Sequence, residues 1–241
     1  MLFRSERPGA GDFARGYDET VLGQSAYFVW LNRSKESLTL DVKHAKSADI
    51  FARLLAKADV FIQNLAPGAA ARLGLDAKTL LTKHPRLIVC DVSGYGDAGP
   101  YAKKKAYDLL IQSEAGVLSV TGTPDEQVKV GISIVDISAG MYAYSGILTA
   151  LYQREKTGKG TRVDVTMFES LAEWMSHPLN YTHFGGKAPK RSGPDHATIV
   201  PYGRFKCGDG SYVMLGIQNE DRKSTRLNSS HVSESRMPSS A

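Results

Sequence analysis

The chain has 241 residues, 42% hydrophobic and 9% aromatic, which is enough apolar side chain to bury a core, and two cysteines, Cys90 and Cys207. That composition excludes a disordered tail and a disulfide-built secreted scaffold, and the apolar runs fall short of the ~20 residues of a membrane span. The formal charge of +5, from 30 Lys and Arg against 25 Asp and Glu, invites a nucleic-acid reading that the chain ends remove.

Residues 221–241, DRKSTRLNSSHVSESRMPSSA, have no hydrophobic period and back-translate into a sequencing adapter, with the variable index falling at Val232 to Glu234. Leu2-Phe3-Arg4-Ser5 reads as the opposite adapter. Residues 1–5 and 221–241 are therefore expected to be adapter-derived, the latter disordered, and residues 6–220 to be the biological sequence. Without Arg4 and the tail the formal charge is +2, too little for general nucleic-acid binding, although local Lys and Arg clusters could still meet a phosphorylated small molecule.

Residues 45–57, AKSADIFARLLAK, place Ile50, Leu54 and Leu55 on one helical face and lead into Val60-Phe61-Ile62, so the spacing predicts a helix and then a buried strand. The turn Gln63-Asn64-Leu65-Ala66-Pro67-Gly68 follows and opens a helical stretch through Arg72. Residues 87–92, LIVCDV, read as a second buried strand closing on Ser93-Gly94-Tyr95-Gly96. Strands alternating with helices imply an α/β fold with a parallel sheet, whose ligands gather beyond the carboxyl ends of the strands. The turns at 64–68 and 93–96 are thus candidate site walls. Residues 128–135, VKVGISIV, alternate as a strand running directly into Asp136, and 137–153 form a long, mostly apolar helix stopped by Thr157-Gly158-Lys159-Gly160. Residues 161–167 alternate as a further strand and pass into a helix near 169–175. After His177-Pro178 the pattern weakens, which predicts a boundary near Lys187 and, beyond it, a hairpin of 203–207 and 211–215 across Gly208-Asp209-Gly210.

Asp136 stands where the expected strand meets the expected helix. Its carboxylate either caps that helix, accepting from the Ser138 or Ala139 amide, or acts as a nucleophile. The spacing fits both, because helix N-terminal amides also keep a carboxylate ionised and in place. Gly68 either permits close backbone approach to a phosphate at the helix start behind it or is an ordinary turn residue. Lys103-Lys104-Lys105, ahead of Tyr107-Asp108, clamp phosphates or form a solvated face. The six histidines have no metal-ligand spacing, so no metal is expected. Neither a P-loop nor a G-x-S-x-G motif is present, and Gly94-Tyr95-Gly96 is too short to be a dinucleotide fingerprint.

Four segments, in order, carry a resemblance: Glu6-Arg7-Pro8-Gly9 with Gly11-Asp12, NRSKESLTLD at 32–41, Asn64-Leu65-Ala66-Pro67-Gly68, and VKVGISIVDISAGMYA at 128–143. Together they resemble the class III CoA-transferases of the CaiB/BaiF type over essentially all of residues 6–220. The resemblance implies a Rossmann-like parallel sheet flanked by helices, with a partial large CoA-binding domain over 6–186. It places a linker and the beginning of a second, smaller α+β domain over 187–220, and it implies a homodimer of two interlocked subunits. It also implies that Asp136 attacks an acyl-CoA thioester, giving a mixed anhydride and then an aspartyl-CoA thioester that passes CoA to an acceptor acid. Asp108 falls where relatives carry an acidic group near the reaction centre. Arg7, Leu40, Lys43, Asn64, Leu65, Arg72, Lys105 and Met167 fall at CoA-contacting positions, with the four cations meeting phosphates and Leu40, Leu65 and Met167 packing on apolar parts of the ligand.

The α-methylacyl-CoA racemases of the same superfamily are the rival reading. They move an α-proton with a histidine and an aspartate, and the position of that histidine is Tyr107 here, which favours transfer. A non-catalytic CoA-binding protein is a third reading, against which Asp136 argues. Relatives begin before the segment matching Glu6 and continue past Glu220, so an incomplete enzyme with impaired activity is expected. The expected partners are acyl-CoA, as substrate, and a small carboxylic acid, with no permanently bound cofactor, no nucleic acid and no membrane, in the cytoplasm. Small dicarboxylic acids are the expected acids. Arg204 and His196-Ala197-Thr198 either face the acyl group or stay solvated.

Overall fold

The computed structural model describes residues 2–217, so the tail at 221–241 lies outside the described residues. In chain order the elements are β1 (Leu2–Glu6), α1 (Ala26–Leu31), β2 (Lys35–Thr39), α2 (Ser47–Leu55), β3 (Val60–Gln63), α3 (Ala69–Arg72), α4 (Ala77–Lys83), β4 (Ile88–Ser93), α5 (Asp108–Glu114), α6 (Val117–Val120), α7 (Ile134–Thr157), β5 (Arg162–Thr166), α8 (Met167–Trp174), α9 (Ser176–Gly185), β6 (Tyr202–Lys206) and β7 (Tyr212–Gly216). This is a mixed α/β fold with parallel strands and flanking helices, as expected. The chain divides into two compact units, one of residues up to Lys104 with Ala139–Thr166, the other of Lys105–Ser138 with residues from Met167 on. The boundary read near Lys187 lies within the second unit.

In the first unit β4 is the middle strand of a parallel ladder β3-β4-β5, with Val60 opposite Ile88 and Cys90 opposite Val163. A central strand is covered on both faces, which is why its first half reads as an unbroken apolar run: Ile88, Val89 and Cys90 have no exposed surface. Burial pushes the Cys90 thiol up to about 11. Leu55 of α2, Ala77 and Leu80 of α4, and Leu75, Leu87 and Val89 form the core on one side. Of the predicted face of α2, Leu55 packs in this core, joined by the partly buried Phe51. The Asp76 carboxylate caps α4 through the Thr79 amide at 3.0 Å. A separate parallel pair joins β1 to β2, with Glu6 opposite Thr39. Gly160 brings the chain back against Leu87, where an added Cβ would overlap backbone and where its N–H donates to the Pro85 carbonyl at 2.7 Å.

In the second unit α5 packs on α6 and α8, and Ile111, Val117, Val135 and Leu171 are buried. β6 and β7 pair antiparallel, Tyr202 opposite Gly216, as the Gly208-Asp209-Gly210 signal predicts. Two expectations are corrected. Residues 128–133 are not a strand: the alternating pattern finds no partner ladder, and the segment is held instead by the Val128 N–H on the Thr121 carbonyl at 3.1 Å and by a side chain at Val130. Ile134 and Val135 already belong to α7, so Asp136 is the third residue of a helix and not its cap. The weak pattern after His177 hides α9, in which Pro178 occupies the first turn, where its missing N–H costs nothing.

α7, with 24 residues and a mean hydropathy of 1.3 over its most apolar window, is by length and composition long enough to cross a membrane, which corrects the reading that no apolar run approaches that length. Its Val135, Ser138, Ala139, Ala143 and Ala150 are buried, whereas Met141, Tyr144, Leu148 and Tyr152 are exposed.

Candidate functional site

In the second unit Asp108 opens α5 and Asp136 lies in the first turn of α7. Tyr107 precedes α5 with extended backbone and a side chain that makes no cap bond. Asp108 Oδ2 accepts the Val135 N–H at 2.8 Å, so the amide next to the candidate nucleophile is satisfied by a carboxylate 27 residues upstream. The Asp136 carboxylate itself is solvent-accessible, and among the described residues no hydrogen-bond donor holds it. The surrounding protein strips part of its hydration, and the Asp108 charge opposes a second one, so its pKa stands above the ordinary aspartate value. A first-turn position would by itself favour the charged form. Desolvation and Asp108 outweigh that, leaving an accessible carboxylate whose pKa is raised.

Gln112, one turn along α5 from Asp108, is the residue that sequence reasoning missed. It is fully buried, donates from Nε2 to Asp108 Oδ1 at 2.6 Å and accepts the Val130 N–H at Oε1 at 2.8 Å. The i, i+4 spacing of an Asp and a Gln on one helix was the available signal. Lys105 is exposed just ahead of α5, and Met167, half-buried, begins α8. The second unit also holds a cavity of about 180 Å³ lined by His177, Tyr181, Lys190, Ser192, His196 and Thr198 among others. There His196 Nδ1 accepts the Thr198 and Ile199 amides at 3.2 and 3.0 Å, and Arg204 stacks over Tyr212 at 4.5 Å on the exposed hairpin.

The remaining predicted contacts belong to the first unit. Arg7 and Leu40 are brought side by side where the β1–β2 pair ends, because the Leu40 N–H donates to the Glu6 carbonyl at 2.8 Å. The Arg7 guanidinium lies over Phe13 at 4.0 Å and its Nε donates to the Gly11 carbonyl at 2.7 Å, which leaves the rest of the fork available. Lys43 is exposed in the turn that follows β2. Asn64 and Leu65 are exposed just past β3, and the Leu65 amide is held by the Gln63 side chain at 2.7 Å.

A cavity of about 560 Å³ opens at the carboxyl ends of β3 and β4, lined by Leu65, Pro67 and Gly68 on one side and Ser93 and Gly96 on the other. The two predicted walls therefore face one space. Gly68 has φ +76, and an added Cβ would sit 3.1 Å from Arg72 Nη1, so the glycine lets Arg72 fold back across the turn. Arg162, which also lines this cavity, is already engaged by Asp91 at 2.7 Å, Asp97 at 3.0 Å and Asp164 at 3.1 Å. Arg72 does not line this cavity, although its guanidinium approaches Gly68, which does. Lys104 of the triple-lysine run packs over Tyr101 at 4.4 Å.

Residues 4–228 match the model of CoA-transferase family III. The chain is 40% identical over 211 residues to the acetyl-CoA:oxalate CoA-transferase of Acetobacter aceti, covering 87% of this chain and 54% of that one. It is 34% identical over 226 residues to the human succinyl-CoA:glutarate CoA-transferase, covering 93% of this chain and 51% of that one. Among solved structures, a CaiB/BaiF family protein from Brucella suis superposes with a TM-score of 0.82 at 33% identity, over 92% of this chain and 60% of that one. The chain thus spans about half the length of the curated relatives it matches. The ordered motifs, the parallel ladders and the family match agree: this chain belongs to CoA-transferase family III.

Proposed function

We propose that the complete gene product moves CoA from an acyl-CoA to a small carboxylic acid, with Asp136 as nucleophile. The observation that carries this reading is the solvent-accessible Asp136 carboxylate in the first turn of α7, next to an amide held by Asp108. Its oxygen attacks the thioester carbonyl and expels CoA thiolate, leaving a mixed anhydride. The thiolate then attacks the aspartyl carbonyl, which frees the donor acid and leaves an aspartyl-CoA thioester. An acceptor carboxylate repeats the exchange in reverse and restores Asp136. A carboxylate whose pKa is raised is the stronger nucleophile for the first step. Arg7, Lys43, Arg72 and Lys105 serve the CoA phosphates, and Leu40, Asn64, Leu65 and Met167 its uncharged parts.

Relatives named for oxalate and glutarate support a small dicarboxylic acid as the acid partner. The exposed stripe Met141, Tyr144, Leu148 and Tyr152 on α7 supports a homodimer, since an apolar helix face of that length is ordinarily covered. We include no nucleic acid, membrane or permanent cofactor in this reading, and we place the reaction in the cytoplasm.

The test incubates the complete gene product with a panel of acyl-CoAs and maps covalent adducts by peptide mass spectrometry. An adduct on Asp136 that is lost in Asp136→Asn is the expected result. Exchange of the α-proton with solvent and no adduct would transfer the reading to a racemase. Neither signal, with CoA still bound, would leave a CoA-binding protein.

A further inference from the structure

The side chains of Asp108 and Gln112 connect two backbone amides. The Val130 N–H donates to Gln112 Oε1, Gln112 Nε2 donates to Asp108 Oδ1, and the Val135 N–H donates to Asp108 Oδ2, at 2.8, 2.6 and 2.8 Å. Both ends are amides, which can only donate, so the direction of every link follows. The carboxamide must turn its oxygen to Val130 and its N–H to Asp108, and Asp108 must accept at both oxygens. One end of the relay holds the irregular segment that leads into α7, and the other holds the first turn of α7. Asp136 lies next to the second anchor, and Gln112, with no exposed surface, has no solvent to substitute for a lost partner.

We propose that Gln112 is a positioning residue for the reaction at Asp136, acting through Asp108, and that Asp108 is likewise a positioning residue whose oxygens hold the helix start. This rests on the reading of Asp136 as nucleophile. The relay fixes the backbone on which the Asp136 side chain is mounted, through hydrogen bonds whose direction cannot be inverted by a simple amide flip. An error of about 1 Å in such placement costs on the order of 100-fold in rate.

The test is a swap in the complete gene product. Asp108→Asn sets an amide N–H2 against that of Gln112, and Gln112→Glu sets one carboxylate against another. The double variant satisfies every link again: the new asparagine accepts from Val135 and donates to the new glutamate, which accepts from Val130. Each single variant is expected to lose roughly 30-fold in kcat with KM for acyl-CoA within about threefold, and the double to stand about tenfold above either. Rates are taken per acylatable site, so that unfolded molecules do not count. Gln112→Met, which keeps the volume without adding charge, gives a second reading should the buried glutamate prevent folding, with the same expected loss. A double variant as slow as Asp108→Asn, or single variants and Gln112→Met with wild-type kcat per site, would overturn the proposal. A wild type that forms no Asp136 adduct overturns the nucleophile reading and this proposal with it, whereas an adduct-forming wild type without rescue overturns this proposal alone.

Discussion

Glu6 and Asp136, carboxylates in different units, meet opposite environments. Glu6, at the end of β1, is 5% exposed, and its oxygens accept from Arg15 Nε and Nη2 at 2.7 and 2.9 Å, Ser37 Oγ at 2.8 Å and the Asp12 amide at 3.0 Å. Led by the Arg15 bond, these donors hold its pKa at about 2 although burial pulls the other way. Asp136 reaches solvent, has no such donor among the described residues and is pushed up. Exposure therefore does not rank the two. What ranks them is whether donors replace the lost hydration, and only the carboxylate left without them keeps the basicity that a nucleophile needs.

The comparison is broken most sharply at Asp136. In the complete gene product Asp136→Asn is expected to lower kcat by at least about 1,000-fold, since the neighbouring Asp108 carboxylate is engaged at both oxygens and cannot replace it in forming the anhydride. The folded pKa of Asp136 lies above its unfolded value, so the ionised form opposes folding at neutral pH. The variant should accordingly melt no lower than wild type, which calorimetry at pH 7 checks.

Glu6→Gln should do the reverse, leaving chemistry at Asp136 in place and costing roughly 2 kcal/mol of stability, because Arg15 and Ser37 lose a charged acceptor in a buried cluster. The pKa of Glu6 falls from 4.5 to about 2 on folding, so its contribution is fully present above pH 4.5 and disappears as the pH falls toward about 2. Denaturant melts of wild type and variant should differ at pH 7 and converge over that acid window. A constant difference would separate the stability from the charge.

Gly68→Ala tests whether the first unit contributes to ligand affinity alone. With φ at +76 and Arg72 Nη1 3.1 Å from the new methyl group, about 1 kcal/mol of strain and a displaced Arg72 are expected. Initial-rate kinetics should show KM for acyl-CoA rising several-fold with kcat little changed. The smallest effect concerns pH. The rate falls on the acid side as Asp136 protonates, and Asp108→Asn removes one of the two causes of its raised pKa, so the residual activity should lose its acid limb at a lower pH than wild type.

Local pattern was enough for β3, β4, α2, the hairpin of β6 and β7, and the two turns that wall the larger cavity, because each depends on side chains a few residues apart. The site was legible in part. Asp136 stands out by motif position, and Arg7, Leu40 and Leu65 follow the carboxyl ends of parallel strands, where an α/β sheet takes its ligands. The segment at 128–133 misled because alternation records which faces a chain presents, not whether a partner strand exists. A glutamine from α5 takes the place of that partner at Val130.

By itself the sequence determined the periodicities, the turn chemistry and the family motifs, all of which are written within short windows of chain. The tertiary structure alone decided what Asp136 is. Its helix starts earlier than the pattern suggests, and the helix amide beside it is held by Asp108 from 27 residues away. Its basicity comes from dehydration and a neighbouring charge. Those are properties of separation in space and of dielectric surroundings, and no window of sequence contains them.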